Sequence, residues 1–379
     1  GPPSALALQA ALSAGPLNAM IDGLVDLDSH AARRLHLSAN ASELTLTTAG
    51  GDVIGWQHLD IDADLSGPLA SPRGTAKVEA DGLSAGDLSL DAMLRLDGLL
   101  DDQPSLSARG EVALTQAPEP LAALLGPAAQ VSLSLRKEPI GWWIDAGTIE
   151  SPVARAGVRG RLGADALDLG WIFGLPDIST LASGLKGRVD AQGTLTGSPR
   201  AADFTAELNA DLGADTGSGA AAAGQISARL SARLDRQMAA PHARIDVSGT
   251  WAGQPLSANL QAGRAADAGW VLSLGDSRWA SVSASGRLRL PAGASGPQAD
   301  LRLRVEQLAD LPPLIAPLVA SLGGPPLDPA LSGLLQGRVN LKVTLTDQGV
   351  ALLELHGESL SLPASIEADT LSLTARIAD

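Results

Sequence analysis

The chain has 379 residues, 45% of them apolar, no cysteine and a formal net charge of −15. That charge argues against a nucleic-acid partner or an anionic membrane surface, since both draw affinity from Lys and Arg, and the missing thiols exclude a disulfide framework or a thiolate metal site. Leu, Ala and Val dominate the apolar content, with seven Trp, two Phe and no Tyr, so the aromatic side chains of many cores and base-stacking sites are nearly absent.

Taken in chain order, the opening Gly1-Pro2 looks like what a recombinant protease site leaves behind, and the chain reads as a piece of a longer protein. Apolar and polar residues then alternate with the period of two that a half-buried strand requires. The register slips between Ala41 and Leu44, where a bulge would return the apolar side chains to one face. Asp60, Asp62 and Asp64 in HLDIDADL invite a calcium-loop reading. It fails, because Leu65 stands where that loop needs glycine and Ser71 where it needs a bidentate glutamate; a solvated strand face accounts for them better. Leu88, Leu90, Ala92, Leu94 and Leu96 share one side, opposite Ser89, Asp91, Arg95 and Asp97.

Three stretches break the strand rhythm and predict short amphipathic helices near 118–126, 171–183 and 308–323. In the last, Leu308, Leu311, Leu314, Ile315, Leu318, Val319 and Leu322 fall at helical spacing, Gly323 can stop the helix and Pro317 can kink it. Each either plugs a break in the sheet or caps an end; the sharper alternative is a gate lying on the apolar face. Between the first two, Trp142 and Trp143 are adjacent, so a regular strand turns one to the core and the other to a rim. The alternation resumes with Phe204, Ala206, Leu208, Ala210 and Leu212, then with Ile226, Ala228, Leu230, Ala232 and Leu234. It returns in Leu301, Leu303 and Val305, in Val339, Leu341, Val343 and Leu345, and in Leu371, Leu373, Ala375 and Ile377.

These patterns predict an all-β chain of about 18 to 22 strands in an antiparallel sheet with one apolar face, since parallel strands are usually buried on both sides. Turn clusters such as SGPLASP, TGSPR and PAGASGP separate the strands, and GLKGRVDAQGTLTG resembles LLQGRVNLKVTLTDQG, which marks a degenerate repeat. A β-sandwich or closed β-helix is the common solution for such strands. Many alanines, few aromatics and a pattern that never breaks into sandwich-sized sets instead favour one long curled sheet, an open hydrophobic groove of roughly 90 Å for about 20 strands at 4.8 Å each. The whole of 1–379 is then a single elongated unit.

Catalytic signals are poor. Ser183 and Lys186 have the S-x-x-K spacing of some acyl-transfer enzymes without the companion motifs. GVRGRLG is not G-x-G-x-x-G and lies among strands. His30, His36, His58, His242 and His356 lack metal-ligand spacing, His36 and His356 pointing to solvent. The expectation is a protein that is not an enzyme, with no catalytic residue, metal or cofactor.

The rhythm of GRVDAQGTLTGSPRAADFTAELNADL, together with DLPPLIAPLVASLGG leading into LSGLLQGRVNLKVTLTDQG, resembles the TamB family of bacterial envelope proteins, within the AsmA-like, bridge-type lipid transfer group. The resemblance implies a periplasmic protein of a Gram-negative bacterium, anchored in the inner membrane, whose U-shaped β-taco sheet carries lipid toward the outer membrane. It also implies an Omp85-type outer-membrane barrel, TamA, as partner. The family's N-terminal anchor helix and partner-binding ending are not recognised in this sequence, so it reads as an interior piece to which no contact with the barrel is assigned.

Physical chemistry supports that role. Exposing the roughly 30 methylenes of a phospholipid's acyl chains to water costs on the order of 25 kcal/mol at about 0.8 kcal/mol each. An aliphatic lining removes most of that cost while the head group stays in water. The expected lining for the acyl chains is Leu88, Leu90, Leu94, Leu96, Phe204, Leu208, Ile226, Leu230, Leu234, Leu301, Leu303, Val305, Val339, Leu341, Val343, Leu345, Leu371 and Leu373. Two other functions fit the same strands: a scaffold or chaperone that templates outer-membrane barrel strands by augmentation, and an adhesin-like stalk with a dry, filled core.

Overall fold

The alternating stretches are strands, and each pairs with its neighbour in sequence. A computed structural model describes residues 4–47, 53–163, 165–180, 185–214, 222–235, 241–265, 269–292, 296–312, 335–346, 351–362 and 366–377. Two units divide the chain, Gly1–Gly174 and Leu175–Asp379. The first holds β1 (Ala5–Ala14), β2 (Leu17–Asp26), β3 (Ala31–Thr47), β4 (Val53–Pro68), β5 (Arg73–Ala85), β6 (Leu88–Leu99), β7 (Ser105–Gln116), helix α1 (Glu119–Leu125), β8 (Ala128–Glu138), β9 (Gly141–Glu150), β10 (Arg155–Leu162) and β11 (Leu167–Leu175). From β1 to β11 every strand is antiparallel to the next.

The second unit repeats the plan with β12 (Leu185–Ser198), β13 (Ala201–Ala214), β14 (Ala222–Asp235), β15 (His242–Trp251), β16 (Gln254–Arg264) and β17 (Trp270–Trp279). It continues through β18 (Val282–Leu290), β19 (Gln298–Val305), β20 (Gln336–Leu345), β21 (Ala351–Leu362) and β22 (Ile366–Ile377), again antiparallel in sequence order. Neither meander is closed or strongly curled. Outside the stretch between β19 and β20, the connections are too short for a parallel crossover, which needs a dozen or more residues, and so favour this nearest-neighbour topology.

The slip between Ala41 and Leu44 is accommodated by three strands together. Glu43 takes the left-handed region at φ 35, yet the β3 to β4 register is the same on both sides, with Ser42 opposite His58 and Leu44 opposite Trp56. On β5 the switch falls at Gly82, φ 61, and the register with β6 shifts between Ala80 and Leu83. A side chain at Gly82 would collide with Gln57 of β4, so the glycine makes room where the neighbouring strand changes face.

At the β2 to β3 turn, Asp26 accepts hydrogen bonds from the N–H groups of Asp28 and Ser29 at 3.0 and 3.1 Å and from the Arg33 guanidinium at 2.8 Å. Arg33 foremost, then Ser29, holds the carboxyl down to about 2, from a model-compound value of 3.8. A depressed folded pKa gives stability that is present above the unfolded value and lost as pH falls through the folded one. The gap in melting temperature between wild type and Asp26→Asn is therefore expected to be full at neutral pH and to close between about pH 4 and pH 2. A gap that stays constant across that window would show that the turn does not depend on the charge.

Helix α1 forms where expected, between Pro118 and Gly126, whose φ of 64 ends it. The prediction for 171–183 is corrected. Trp171 and Phe173 lie in β11 opposite Val158 and Ala156 of β10, and among the described residues of the stretch only Ile178–Thr180 makes a single 3-10 turn; positions 181–183 lie outside them. The apolar residues there also fit a period of two, and the β10 ladder decides between the readings. Of 308–323, Leu308–Asp310 is a 3-10 turn; positions 313–323 lie outside the described residues.

Candidate functional site: an aliphatic sheet face

Because each strand pairs with its sequence neighbour, the apolar positions align in rows that run across the strands. In the first unit one row comprises Ala10, Ile21, Leu37, Ala63, Ala76, Leu96, Ala108, Leu133, Gly147, Val158 and Trp171, one residue from each strand. The next comprises Leu12, Ala19, Ala39, Ile61, Val78, Leu94, Gly110, Val131, Ile149, Ala156 and Phe173. In the second unit Gly193, Ala206, Leu230, Ile245, Leu260, Leu274, Gly286, Leu301, Val343, Leu353 and Ala375 form such a row. No charged residue interrupts any of the three.

These rows are shaded by their own neighbours more than by a second layer. Buried apolar residues are mostly alanines set between larger side chains, Ala41, Ala63, Ala80, Ala202 and Ala210 among them, and no large side chain among the described residues is fully buried. Leu301, Leu371 and Leu373 keep 43%, 42% and 53% of their surface exposed. Among the described residues the second unit has cover where Leu308 of the 3-10 turn and Leu311 just after it pack with Val282, Val305, Val339 and Leu360, and Val305 falls to 3%. That turn acts as a local plug.

The expected lining residues fall on these rows or on parallel ones. Leu94 and Leu96 of β6 occupy the two first-unit rows given above, with Leu88 and Leu90 on the same side of the strand opposite Ala85 and Leu83. Phe204 and Leu208 of β13 stand opposite Ala232 and Ala228, alternating with Ala206 and Ala210, the partners of Leu230 and Ile226. Leu301, Leu303 and Val305 stand opposite Val343, Leu341 and Val339, while Leu345 faces Ala299 and Leu371 and Leu373 face Gly357 and Leu355. Leu234 pairs by its backbone with Ala202; its side chain lies outside the described residues. The sequence reading missed Ile21, Leu37, Ile61, Val131, Leu133, Ile149, Ile245 and Leu353, which occupy the same rows and carry the same signal of alternation.

The opposite face is polar and ion-paired. Arg188 meets Asp211 at 3.0 Å, Arg229 meets Glu207 at 3.3 Å, Arg136 meets Asp145 at 2.8 Å and Lys342 meets Glu354 at 3.4 Å. Hollows open among such side chains, among them one of about 600 Å³ beside Arg278, Arg302, Arg304, Lys342 and His356, and one of about 380 Å³ beside Asp62, Asp64, Lys77, Arg95 and Arg109. Asp60, Asp62 and Asp64 do lie on this face. His36 Nε2 is 3.6 Å from Asp62 and its Nδ1 is 3.4 Å from Asp64, close enough to gather round a cation, but Arg34 at 3.4 Å already engages Asp64 and Lys77 stands opposite Asp62. His36 is half-buried rather than turned to solvent, whereas exposed His356 pairs with Glu358 at 3.5 Å.

Trp142 and Trp143 do point to opposite faces, but neither is a buried anchor. The Lys137 ammonium lies 5.4 Å from the Trp142 ring, and the Arg136 and Arg161 guanidinium groups lie 5.6 and 6.0 Å from the Trp143 ring. GVRGRLG is strand β10 and its following turn, and Ser183 lies outside the described residues. No helix among the described residues is long and apolar enough to cross a membrane. No family model matches the chain, and no curated protein matches it.

Proposed function

We propose that the chain is a lipid carrier whose aliphatic sheet face receives phospholipid acyl chains, with the head groups left in water. The observation that carries this reading is the set of uncharged rows crossing all eleven strands of each unit without a second layer over them among the described residues. Contiguous apolar surface of that kind marks a site that something apolar covers. Rows built from Leu, Val, Ile and Ala offer no deep aromatic pocket. They can therefore hold chains without selecting one species, which suits movement along the face.

In this reading the sheet bends around its cargo into the trough implied by the likeness to the TamB family. The protein then works in the periplasm, its parent anchored in the inner membrane, and passes phospholipid between membranes in support of outer-membrane biogenesis. An Omp85-type barrel is the partner that the likeness supplies. The chain is a carrier rather than an enzyme.

Lipid extraction and mass spectrometry of the purified protein test the proposal directly. Phospholipid co-purifying at one or more molecules per chain supports it. A lipid-free protein that takes up none from vesicles would overturn it, and if that protein instead captured unfolded barrel strands, the scaffold reading would replace it.

A further inference from the structure

The net charge of −15 belongs to the whole chain and not to each face of it. Strands β17 to β20 carry Arg278, Arg287, Arg289, Arg302, Arg304, Arg338 and Lys342 against Asp276 and Asp300 alone, whereas the full sequence has 27 Lys and Arg against 42 Asp and Glu. These cations alternate with the aliphatic positions and so share the polar face. The hollow of about 600 Å³ opens among them, and its size is that of a small-molecule site, roughly 300–1,000 Å³.

Strand register sets the donors in line. Arg278, Ser283, Arg304, Asn340, His356 and Ser372 form one row across β17 to β22 with no carboxylate in it. In the next row Arg302 stands directly opposite Lys342, a like-charge pair that costs stability in a bare sheet. An anion seated between the two turns that repulsion into attraction. The carboxylates lining the hollow are those of Asp276 and Glu354. Asp300 and Glu306 engage Arg302 and Arg304 at 3.5 and 2.6 Å from outside it, and Glu354 meets Lys342 at 3.4 Å. Exposed pairs of that kind are weak and exchange readily. Arg278, itself exposed, has no ion pair among the described residues.

We propose that this hollow binds a small molecule bearing two or more phosphoryl groups. Arg302 and Arg304 are about 7 Å apart along β19, and Arg278 lies two strands from Arg304, about 10 Å away. That spacing suits separate phosphoryl groups better than one. Guanidinium forks match phosphoryl oxygens two at a time, and Ser283, Asn340 and Ser372 can donate to the oxygens left over. The basic strands span only about 15 Å, which fits a compact ligand and not a polymer. The phosphoryl groups can belong to a free metabolite or to a lipid head group. Because the hollow lies on the face opposite the aliphatic rows, the inference stands whether or not those rows carry acyl chains.

Calorimetric titration with fructose 1,6-bisphosphate at low salt, beside co-sedimentation with phosphatidylcholine vesicles containing phosphatidylinositol 4-phosphate, tests it and separates the two sources. Saturable binding that weakens as salt rises is expected; in the first arm alone it identifies a free ligand, and in the second a head group. Arg278→Gln and Arg304→Gln should each weaken that binding at least about tenfold, while Arg188→Gln on β12 should change it by less than about twofold. Arg278→Gln breaks no ion pair within the described residues, so its loss of binding is not a loss of fold. No binding in either arm, binding that survives both substitutions, or citrate held as tightly as the bisphosphate would overturn the proposal.

Discussion

Leu341→Asp is expected to lower phospholipid loading and transfer at least about tenfold, while Lys342→Asp, one residue along the same strand, leaves both within about twofold. Leu341 stands between Leu303 of β19 and Leu355 of β21, with Leu373 of β22 next in the row. Replacing it removes about 1.5–3 kcal/mol of apolar contact and sets a carboxylate where acyl chains must pass. Lys342 lies on the other face opposite Glu354. Its replacement creates a like-charge pair of roughly 0.2–1 kcal/mol, which touches stability and not the apolar rows. Circular dichroism of both variants separates folding from loading. Equal effects of the two substitutions on transfer in folded protein would remove the aliphatic face from the mechanism.

The fold was legible because its topology asks little of the sequence. When every strand pairs with its neighbour, a period of two and a turn every dozen residues determine both the strand and its partner, and Phe204 to Leu212 or Val339 to Leu345 carry that information without ambiguity. Trp171 and Phe173 were misread because Leu175, Ile178 and Leu181 extend them into a helical spacing; nothing local says that Val158 and Ala156 wait on β10. Glu43 shows the reverse case. The parity change between Ala41 and Leu44 announced an irregularity, but not that β4 and β5 would change face alongside. The cover of the apolar face was least legible, since alternation gives which side is apolar and not what lies above it. Val305 and Leu303 look alike in sequence. One is buried under Leu308 and the other is open.

Glycine hid part of the candidate site from the sequence and is where the sheet should be most fragile. Gly110→Ala is expected to destabilise the first unit by about 3 kcal/mol or more, a change read from denaturant unfolding. A methyl group there would run into the Met93 carbonyl oxygen and come within 2.8 Å of the Leu94 Cα and 2.9 Å of its Cδ2. Leu94 thus leans across β7 into the space that Gly110 leaves, so a residue without a side chain still belongs to an unbroken aliphatic row. Adding the methyl forces β6 and β7 apart, because the obstacle includes backbone rather than the movable end of a side chain. Gly263→Ala is the matched control: its methyl would meet nothing nearer than the Pro241 carbonyl oxygen at 3.9 Å, and the stiffer unfolded chain should make it neutral or stabilising by up to about 1 kcal/mol. If the two variants unfolded alike, the close Leu94 to Gly110 packing, and with it the continuity of that row across β6 and β7, would have to be abandoned.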